Sequence, residues 1–247
     1  MQFTTEGLVL REQVTGESDR VITLLTRSNG IIRAFAKGTR NLRSRNAAAT
    51  QAFCYSRFVL FKGRSAYTVD EAETIQMFYA LRQDIEKLAL AQYFCELALS
   101  LAPEEDEAAE FLRLFTNGLY YLENGKRPVN IIKPAVEMRA LSLAGYRPDL
   151  IGCESCGTFE GDRMFFRLKQ GVLLCGSCYK ADGIFTLELN RSVLSALRHT
   201  VYAPFNRLFA FELPERDAEA LAEGAETYLL SQLERNFKTL RFYHQIP

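Results

Sequence analysis

Short apolar runs separated by turn residues fill the first 73 residues, and this is the pattern of a sheet-rich domain. The run RVITLLT begins at Arg20 and is rich in β-branched residues, and SNG at 28–30 separates it from the next apolar run. The pattern predicts five short strands, at 7–12, 20–26, 31–37, 53–61 and 67–69. Five strands in so short a segment favour a small closed barrel of the OB-like kind, with an SH3-like barrel as the alternative.

Beyond Glu73 the apolar residues recur at the three- or four-residue spacing of amphipathic helices. The predicted helices lie at 82–101, 104–125, 129–145, 190–202 and 214–236. Pro103 ends the first of them because proline does not continue a helix. Gly125 and Gly145 end the next two because glycine readily adopts the left-handed conformation found at helix ends.

Four cysteines in two Cys-x2-Cys pairs interrupt the helical region, at Cys153, Cys156, Cys175 and Cys178. Two such pairs supply four thiolates on two tight knuckles, which is typical of a zinc ribbon. We expect one structural Zn²⁺ ion, because four thiolates leave no coordination position open for chemistry. Disulfides and an iron–sulfur cluster are the alternatives, and a reducing compartment disfavours the disulfides.

Together these patterns predict an α+β multidomain protein. An OB-like β-barrel is expected at 1–79 and a helical domain at 80–247, with the zinc ribbon inserted at 150–181. The start of the chain lacks the pattern of a signal peptide, and no apolar run approaches the length of a membrane span. We therefore expect a cytoplasmic protein that makes no membrane contact.

Charge is distributed unevenly along a chain that is neutral overall, with 30 Lys and Arg and 30 Asp and Glu. No acidic residue occurs from Arg20 to Val69, and this segment holds ten cations: Arg20, Arg27, Arg33, Lys37, Arg40, Arg43, Arg45, Arg57, Lys62 and Arg64. The remaining residues are correspondingly acidic. This asymmetry indicates a polyanionic partner for the basic segment, with an ordinary solvated surface as the alternative.

The third predicted strand places part of this positive charge on one face of the sheet. Alternate residues of a strand share a face, so Arg33, Phe35 and Lys37 are expected on one side, with apolar residues on the other. A ring between two cations suits a single-stranded nucleic acid, because bases stack on the ring while phosphates meet the charges. A core position for Phe35 is the alternative. The loop that follows adds three predicted contacts, Arg40, Arg43 and Arg45.

No catalytic pattern emerges from the sequence, and we expect a protein that is not an enzyme. The two histidines, His199 and His244, lack a recognisable nucleophile, and no phosphate-binding glycine loop is present, so nucleotide binding is not expected. A metal-dependent nuclease would use three acids, Asp70, Glu71 and Glu73. We favour a solvated strand end for these acids, since no further acids complete a two-metal site.

Three stretches of the chain resemble the RecO family of bacterial DNA repair proteins, which are recombination mediators. They are GLVLREQVTGESDRVITLLTRSNGIIRAFAKGTRNLRSRN, EMRALSLAGYRPDLIGCESCG and ERNFKTLRFY. The order of barrel, helices, four-cysteine ribbon and helices adds to the resemblance.

The resemblance implies binding to single- and double-stranded DNA and annealing of complementary strands. It also implies action on DNA coated with single-strand-binding protein (SSB), and a partnership with RecR that helps RecA to load in gap and break repair. The implied DNA contacts are Arg33, Lys37, Arg40, Arg43 and Arg45. Lys133 and Arg139, among apolar residues of the third helix, are candidate contacts for the acidic C-terminal tail of SSB. The alternative function is an RNA- or transcription-associated adaptor that acts through protein contacts on its acidic helical half.

Overall fold

A computed structural model of the chain describes residues 1–41, 43–64 and 66–246. Its N-terminal part consists of five strands: β1 Gln2–Thr15, β2 Asp19–Thr26, β3 Gly30–Ala36, β4 Cys54–Lys62 and β5 Tyr67–Met77. They form a closed barrel in the order β1-β2-β3-β5-β4, in which only β3 and β5 pair in parallel. The predicted OB-like barrel is confirmed.

The barrel closes around a core of alternate side chains from every strand. Ile22, Leu24, Phe58 and Leu60 are fully buried there. Strands β1 and β5 are longer than predicted, because positions that face outward from a barrel tolerate polar residues. The three acids near residue 70 therefore lie within β5 and not at a strand end.

Three helices complete the unit that contains the barrel, after a 3₁₀ turn at Ala80–Gln83: α1 Ile85–Leu101, α2 Ala109–Asn124 and α6 Lys238–Tyr243. Asp84 caps α1, since its carboxylate accepts hydrogen bonds from the N–H groups of Glu86 and Lys87 at 3.0 and 3.1 Å. The short helix α6 is not in the predicted set. Thr239 in α6 donates two hydrogen bonds to the carboxylate of Glu96 in α1.

Helix α2 begins later than predicted, because the acidic residues before it form a turn. Glu105 has a φ of 53°, outside the helical region. The carbonyl oxygen of Pro103 accepts a hydrogen bond from the N–H of Ile31 at 2.8 Å. Residues 104–107, called the acidic segment below, are therefore tied to the barrel.

The second unit, Gly125–Asn236, contains three helices and a small sheet. The helices are α3 Val129–Leu143, α4 Arg191–Tyr202 and α5 Glu215–Leu233. The strands are β6 Asp149–Cys153, β7 Met164–Arg167, β8 Val172–Cys175 and β9 Thr186–Leu189, in the order β6-β8-β7-β9. The spacer between the two cysteine pairs predicts two short strands, at 164–168 and 172–174, and these correspond to β7 and β8. The flanking strands β6 and β9 are not predicted, since they are short and contain polar residues or glycine.

The chain forms two compact units, each defined by dense contacts among its own residues. The first holds Met1–Asn124 together with the segment that starts at Phe237, and the second lies between them in sequence. The predicted domain boundary after residue 79 falls where strand gives way to helix, and as a boundary between domains it stays a prediction. No helix in the described parts of the chain has the length and apolar character needed to cross a membrane.

Candidate nucleic-acid interface and metal centre

The outer face of strands β1, β2 and β3 carries two rows of side chains that include predicted contact residues. The register places Arg11 opposite Thr23, and Thr23 opposite Arg33. The next row places Val21 opposite Phe35. Directly opposite residues of antiparallel strands share a face, so two arginines and a ring lie on one surface. In OB folds this part of the barrel commonly binds oligonucleotides.

The pleat of β3 exposes the polar side of this strand and buries the other side. Phe35 is 42% exposed, and Arg33 and Lys37 are exposed as well. Ala34 and Ala36 between them are buried in the barrel core. Phe35 is therefore a surface ring, and the alternative of a core position does not apply.

This face forms part of a groove of about 870 Å³, called the strand-face groove below. Two rings line it, those of Phe35 and Tyr67. Two carboxylates of the acidic segment, Glu104 and Glu105, also line it. The groove contains four cations: Arg11, Arg33, Lys62 and Arg64.

Lys62 lies between a ring and a carboxylate in this groove. Its Nζ atom is 5.2 Å from the centroid of Tyr67 and 3.7 Å from a carboxylate oxygen of Glu105. The hydrogen bond and the electrostatic interaction with Tyr67, and after them the charge of Glu105, raise the pKa of Lys62 further above neutral pH. Within the described residues, the guanidinium groups of Arg11 and Arg33 form no ion pair. Their charges are available to a ligand.

None of the three predicted contacts in the loop, Arg40, Arg43 and Arg45, lines the strand-face groove. Arg40 donates hydrogen bonds to the carbonyl oxygens of Gly16 and Glu17 at 3.2 and 2.7 Å, so it holds the turn between β1 and β2. Arg45 pairs with Glu71 at 3.1 Å. That pair lines a separate cleft of about 310 Å³. Arg43 is exposed, and no ion pair of its side chain occurs among the described residues.

The segment that carries these cations is anchored to the barrel. The Asn46 side chain donates to the Asp70 carbonyl at 3.1 Å and accepts from the Ala72 N–H at 3.0 Å. Ala49 is buried, and its carbonyl oxygen accepts a hydrogen bond from Ser56 at 3.0 Å. The small residues after Arg45 thus pack against the barrel and fix one end of the basic loop.

Sequence reasoning did not identify Arg11, Lys62 and Arg64 as groove residues. Arg11 precedes the acid-free segment, and an irregularity in the β1–β2 register between Val9 and Arg11 decides which residue it faces. No residue pattern reveals that shift. Lys62 and Arg64 belong to the acid-free segment, so their charge was a signal, but their place beside β3 follows from the barrel closure.

The three acids of the alternative nuclease site form ion pairs or hydrogen bonds on the barrel surface. Glu71 pairs with Arg45, and Glu73 with Arg57 at 3.5 Å. Asp70 accepts a hydrogen bond from the Gln2 side chain at 2.8 Å. These contacts account for all three carboxylates.

In the second unit, the four cysteines of the ribbon come together in one cluster. All four sulfur atoms lie within 4.8 Å of one another, and those of Cys156 and Cys175 are 3.7 Å apart. A tetrahedral site with zinc–sulfur bonds of about 2.3 Å places its sulfurs about 3.8 Å apart. The cluster can therefore hold a metal ion. None of the cysteines forms a disulfide.

The backbone shapes each pair of ligands into a knuckle. Cys153 is the last residue of β6, and Gly157 donates its N–H to the Cys153 carbonyl at 2.8 Å. Gly157 has a φ of 74°, which favours glycine. Cys175 is the last residue of β8, and the Cys178 N–H bonds to its carbonyl at 3.0 Å. The parallel pair of β6 and β8 sets the two knuckles side by side.

Hydrogen bonds favour the thiolate form at Cys153 and Cys156 and the neutral thiol form at Cys178. The Thr158 hydroxyl, 3.1 Å from the sulfur, and then its N–H lower the pKa of the Cys156 thiol to about 6. Burial raises the pKa of Cys153, but backbone N–H groups, chiefly that of Cys175, lower it overall. Hydrogen bonding to Cys156 raises the pKa of Cys178 to about 12. Thiolates are the form that binds metal ions.

Lys133 and Arg139, the candidate contacts for an acidic tail, are both buried. Lys133 lies 2.8 Å from Glu137 and 2.6 Å from Glu226. Burial lowers its pKa, but the two carboxylates raise it overall. Arg139 donates hydrogen bonds to the carbonyl oxygens of Thr200 and Ala203 at 3.0 and 2.6 Å. Both cationic groups contact carboxylates or carbonyl oxygens within the second unit. Their role toward a partner stays a prediction.

Comparison with known proteins gives matches over nearly the whole chain. The family model described as Recombination protein O N terminal matches residues 1–78, and Recombination protein O C terminal matches 82–241. A DNA repair protein RecO from Acetivibrio thermocellus is 36% identical over 239 residues, which cover 96% of this chain and 94% of that protein. The proteins of the same name from Alkaliphilus metalliredigens and Symbiobacterium thermophilum are each 32% identical, over 247 and 244 residues. These two matches cover 100% and 97% of this chain, and 100% and 96% of the respective relatives.

Proposed function

The chain belongs to the recombination protein O family, and from this premise we propose that it is a non-enzymatic recombination mediator of DNA repair. Membership of the family supports a role in DNA repair and recombination. The finer proposal is that the protein binds single- and double-stranded DNA and anneals complementary strands, including strands coated with SSB. With RecR it would then assist the loading of RecA.

The observation that carries the proposal is an exposed ring flanked by cations on the outer face of an OB-like barrel. Bases of a single strand would stack on Phe35, while phosphates meet Arg11, Arg33 and other groove cations. Stacking accepts every base, so binding would not depend on sequence. Lys37, Arg40, Arg43 and Arg45 are proposed to extend the path of DNA beyond the groove.

Annealing follows from this arrangement without a nucleotide. Two complementary strands repel each other through their phosphates, and bound cations reduce that repulsion. Stacking on a ring leaves the Watson–Crick edge of a base free to find its partner. A protein that holds one strand in this way lowers the electrostatic barrier to pairing with the second.

The binding surfaces for protein partners are assigned to fewer residues than the DNA-binding surface. Lys133 and Arg139 stay the proposed contacts for the SSB tail, and the peptide would need to replace Glu226 as the partner of Lys133. Exchange of one carboxylate for another would keep the buried ammonium paired, as burial of a charge requires. We propose RecR as a further partner without assigning its surface.

For the cysteine cluster we propose one zinc ion with a structural role. Cys153, Cys156, Cys175 and Cys178 would hold it. Four thiolates fit zinc in number and spacing and leave no site for substrate. The ion would link β6 to β8 and so stabilise a sheet whose strands are only four or five residues long.

The test is annealing of two complementary oligonucleotides, bare and SSB-coated, by the wild type and the double variant Arg33→Glu/Lys37→Glu. We expect the wild type to anneal both substrates and the variant to lose at least about tenfold in rate, because two attractive charges become repulsive. The matched control is Arg216→Glu, which reverses an exposed charge on α5 in the second unit.

The control variant should anneal like the wild type. Equal rates for Arg33→Glu/Lys37→Glu and the control would contradict the assignment of the DNA surface. A wild type that neither binds nor anneals DNA at low salt would instead favour the adaptor function, and binding to RNA would then be measured.

A further inference from the structure

The strand-face groove combines cations with two carboxylates, which is unexpected for a surface that binds a polyanion. Glu104 and Glu105 are exposed and line the groove together with Arg33 and Lys62. A carboxylate beside a phosphate chain weakens binding through like-charge repulsion. The two carboxylates would therefore have a function only if weaker binding of some phosphate chains is useful.

The fold holds these carboxylates in place through backbone contacts. The Pro103 carbonyl accepts a hydrogen bond from the Ile31 N–H at 2.8 Å, and the Ala108 N–H donates to the Arg27 carbonyl at 2.9 Å. A Cβ atom on Gly30 would lie 2.0 Å from the Pro103 oxygen, so the close approach requires glycine. The acidic segment is thus fixed at both ends to residues that flank the β2–β3 turn.

Glu105 is also fixed individually. Its backbone adopts a left-handed conformation, which residues other than glycine seldom do. Its carboxylate accepts a hydrogen bond from the Tyr67 hydroxyl at 3.4 Å and pairs with Lys62 at 3.7 Å. The negative charge consequently stays at the groove.

We propose that Glu104 and Glu105 make the groove selective for single-stranded over duplex DNA, and this inference rests on the proposed function. A single strand brings one phosphate chain, which the cations attract, and free bases, which stack on Phe35. A duplex brings a second phosphate chain, and its bases are already stacked and paired. The duplex gains nothing from the ring, and its second chain meets the two carboxylates.

This selectivity suits an annealing reaction because substrate and product differ in the same two respects. The substrates are single strands, and the product is a duplex. A protein that bound the duplex as tightly as its substrates would remain on the product. Repulsion from Glu104 and Glu105 speeds its release and frees the groove for the next strand.

The test compares the wild type with the double variant Glu104→Gln/Glu105→Gln, which removes the charges and retains the shapes. Dissociation constants are measured for an oligothymidylate and for a hairpin duplex, at low salt. We expect duplex binding to tighten by about tenfold and single-strand binding by less than about threefold, with both gains shrinking as salt rises. With DNA in excess over protein, the variant should anneal fewer strands per molecule.

Two further variants keep the result interpretable. Glu107→Gln removes an exposed charge of the same segment that does not line the groove, and it should leave the ratio of the two constants unchanged. Glu104→Gln alone should give part of the shift without disturbing the Lys62–Glu105 pair.

Equal tightening for both DNA forms would overturn the inference while leaving the proposed function intact. The same holds if Glu107→Gln acts as strongly as the double variant, because the effect would then reflect net charge and not the groove. A wild type that binds neither DNA form would remove the proposed function and this inference with it.

Discussion

Phe35 is an aromatic side chain that the fold leaves in contact with water, although its neighbours along β3 are buried. The exposed part of the ring contributes little to folding, since its apolar area remains hydrated. In this position the ring lies in the groove with Arg33 and Tyr67 and can contribute when a base covers it. Substitution of Phe35 should therefore change the affinity for DNA much more than the free energy of unfolding.

We expect Phe35→Ala to lower the affinity for an oligothymidylate by about tenfold or more, since stacking contributes about 1–3 kcal/mol per base. Its free energy of unfolding should change by less than about 1 kcal/mol, because the ring is substantially exposed. Fluorescence anisotropy and urea denaturation measure the two quantities.

The matched control for this substitution is Phe185→Ala. Phe185 lies in the second unit and is 69% exposed. Its removal should leave DNA affinity unchanged. An equal loss of affinity in both variants, or a large loss of stability in Phe35→Ala alone, would contradict the stacking role.

At the scale of elements, strand register decides how much of the groove could be predicted. Arg33 and Phe35 follow from the alternation of a single strand, which a short apolar run reveals. The position of Arg11 depends on the irregular pairing of β1 with β2, and that of Lys62 on closure of the barrel. These are long-range pairings, which leave no periodic trace in the residues.

The helices show where local signals mislead. The acidic segment resembles the first turn of a helix because carboxylates favour helix N-termini. Its backbone instead follows contacts of Pro103 with the β2–β3 turn, and α2 starts at Ala109. Helix α6 has six residues, too few for a periodic pattern, and its position depends on contacts with α1. In contrast, the cysteine cluster could be predicted, because ligand spacing within each knuckle is local.

The cysteine ribbon provides a prediction at this scale. We expect one zinc ion per chain in the purified wild type and essentially none in Cys175→Ser, as measured by elemental analysis. Chelation of the ion should lower the melting temperature, because short strands around a metal site depend on its bonds. The substitution Cys54→Ser, at a cysteine buried in the barrel core, should retain the metal.

Full metal content in Cys175→Ser would contradict the assignment of ligands. If the purified wild type contains iron and shows the visible absorption of an iron–sulfur cluster, the site holds such a cluster and not zinc.

At the scale of the whole molecule, neutrality conceals a strongly basic segment. The ten cations from Arg20 to Val69 lie on the barrel strands or on the loops that connect them, whereas most acids lie elsewhere in the chain. Net charge is therefore a poor guide to the partner of this protein. For the proposed polyanionic partner, the local field at the groove would set the attraction.

The salt dependence of binding measures that local field. If five phosphates are neutralised, the logarithm of the association constant for a single strand should fall against the logarithm of salt concentration with a slope of about −3.5. Arg33→Glu should reduce the steepness by about 0.7 or more, and Arg216→Glu should not change it. A slope near zero for the wild type would show that binding does not depend on phosphate contacts.

The first unit is discontinuous in sequence, since α6 joins it from beyond the second unit. During synthesis on the ribosome, residues 1–124 emerge early, but Thr239, the partner of Glu96, emerges only after the second unit has been made. The contact between the rings of Tyr93 and Phe237, whose centroids are 5.7 Å apart, likewise forms only after the second unit has been made. The nascent barrel must therefore persist with an unfinished helical layer, and the unit that contains the barrel reaches its final packing late in translation.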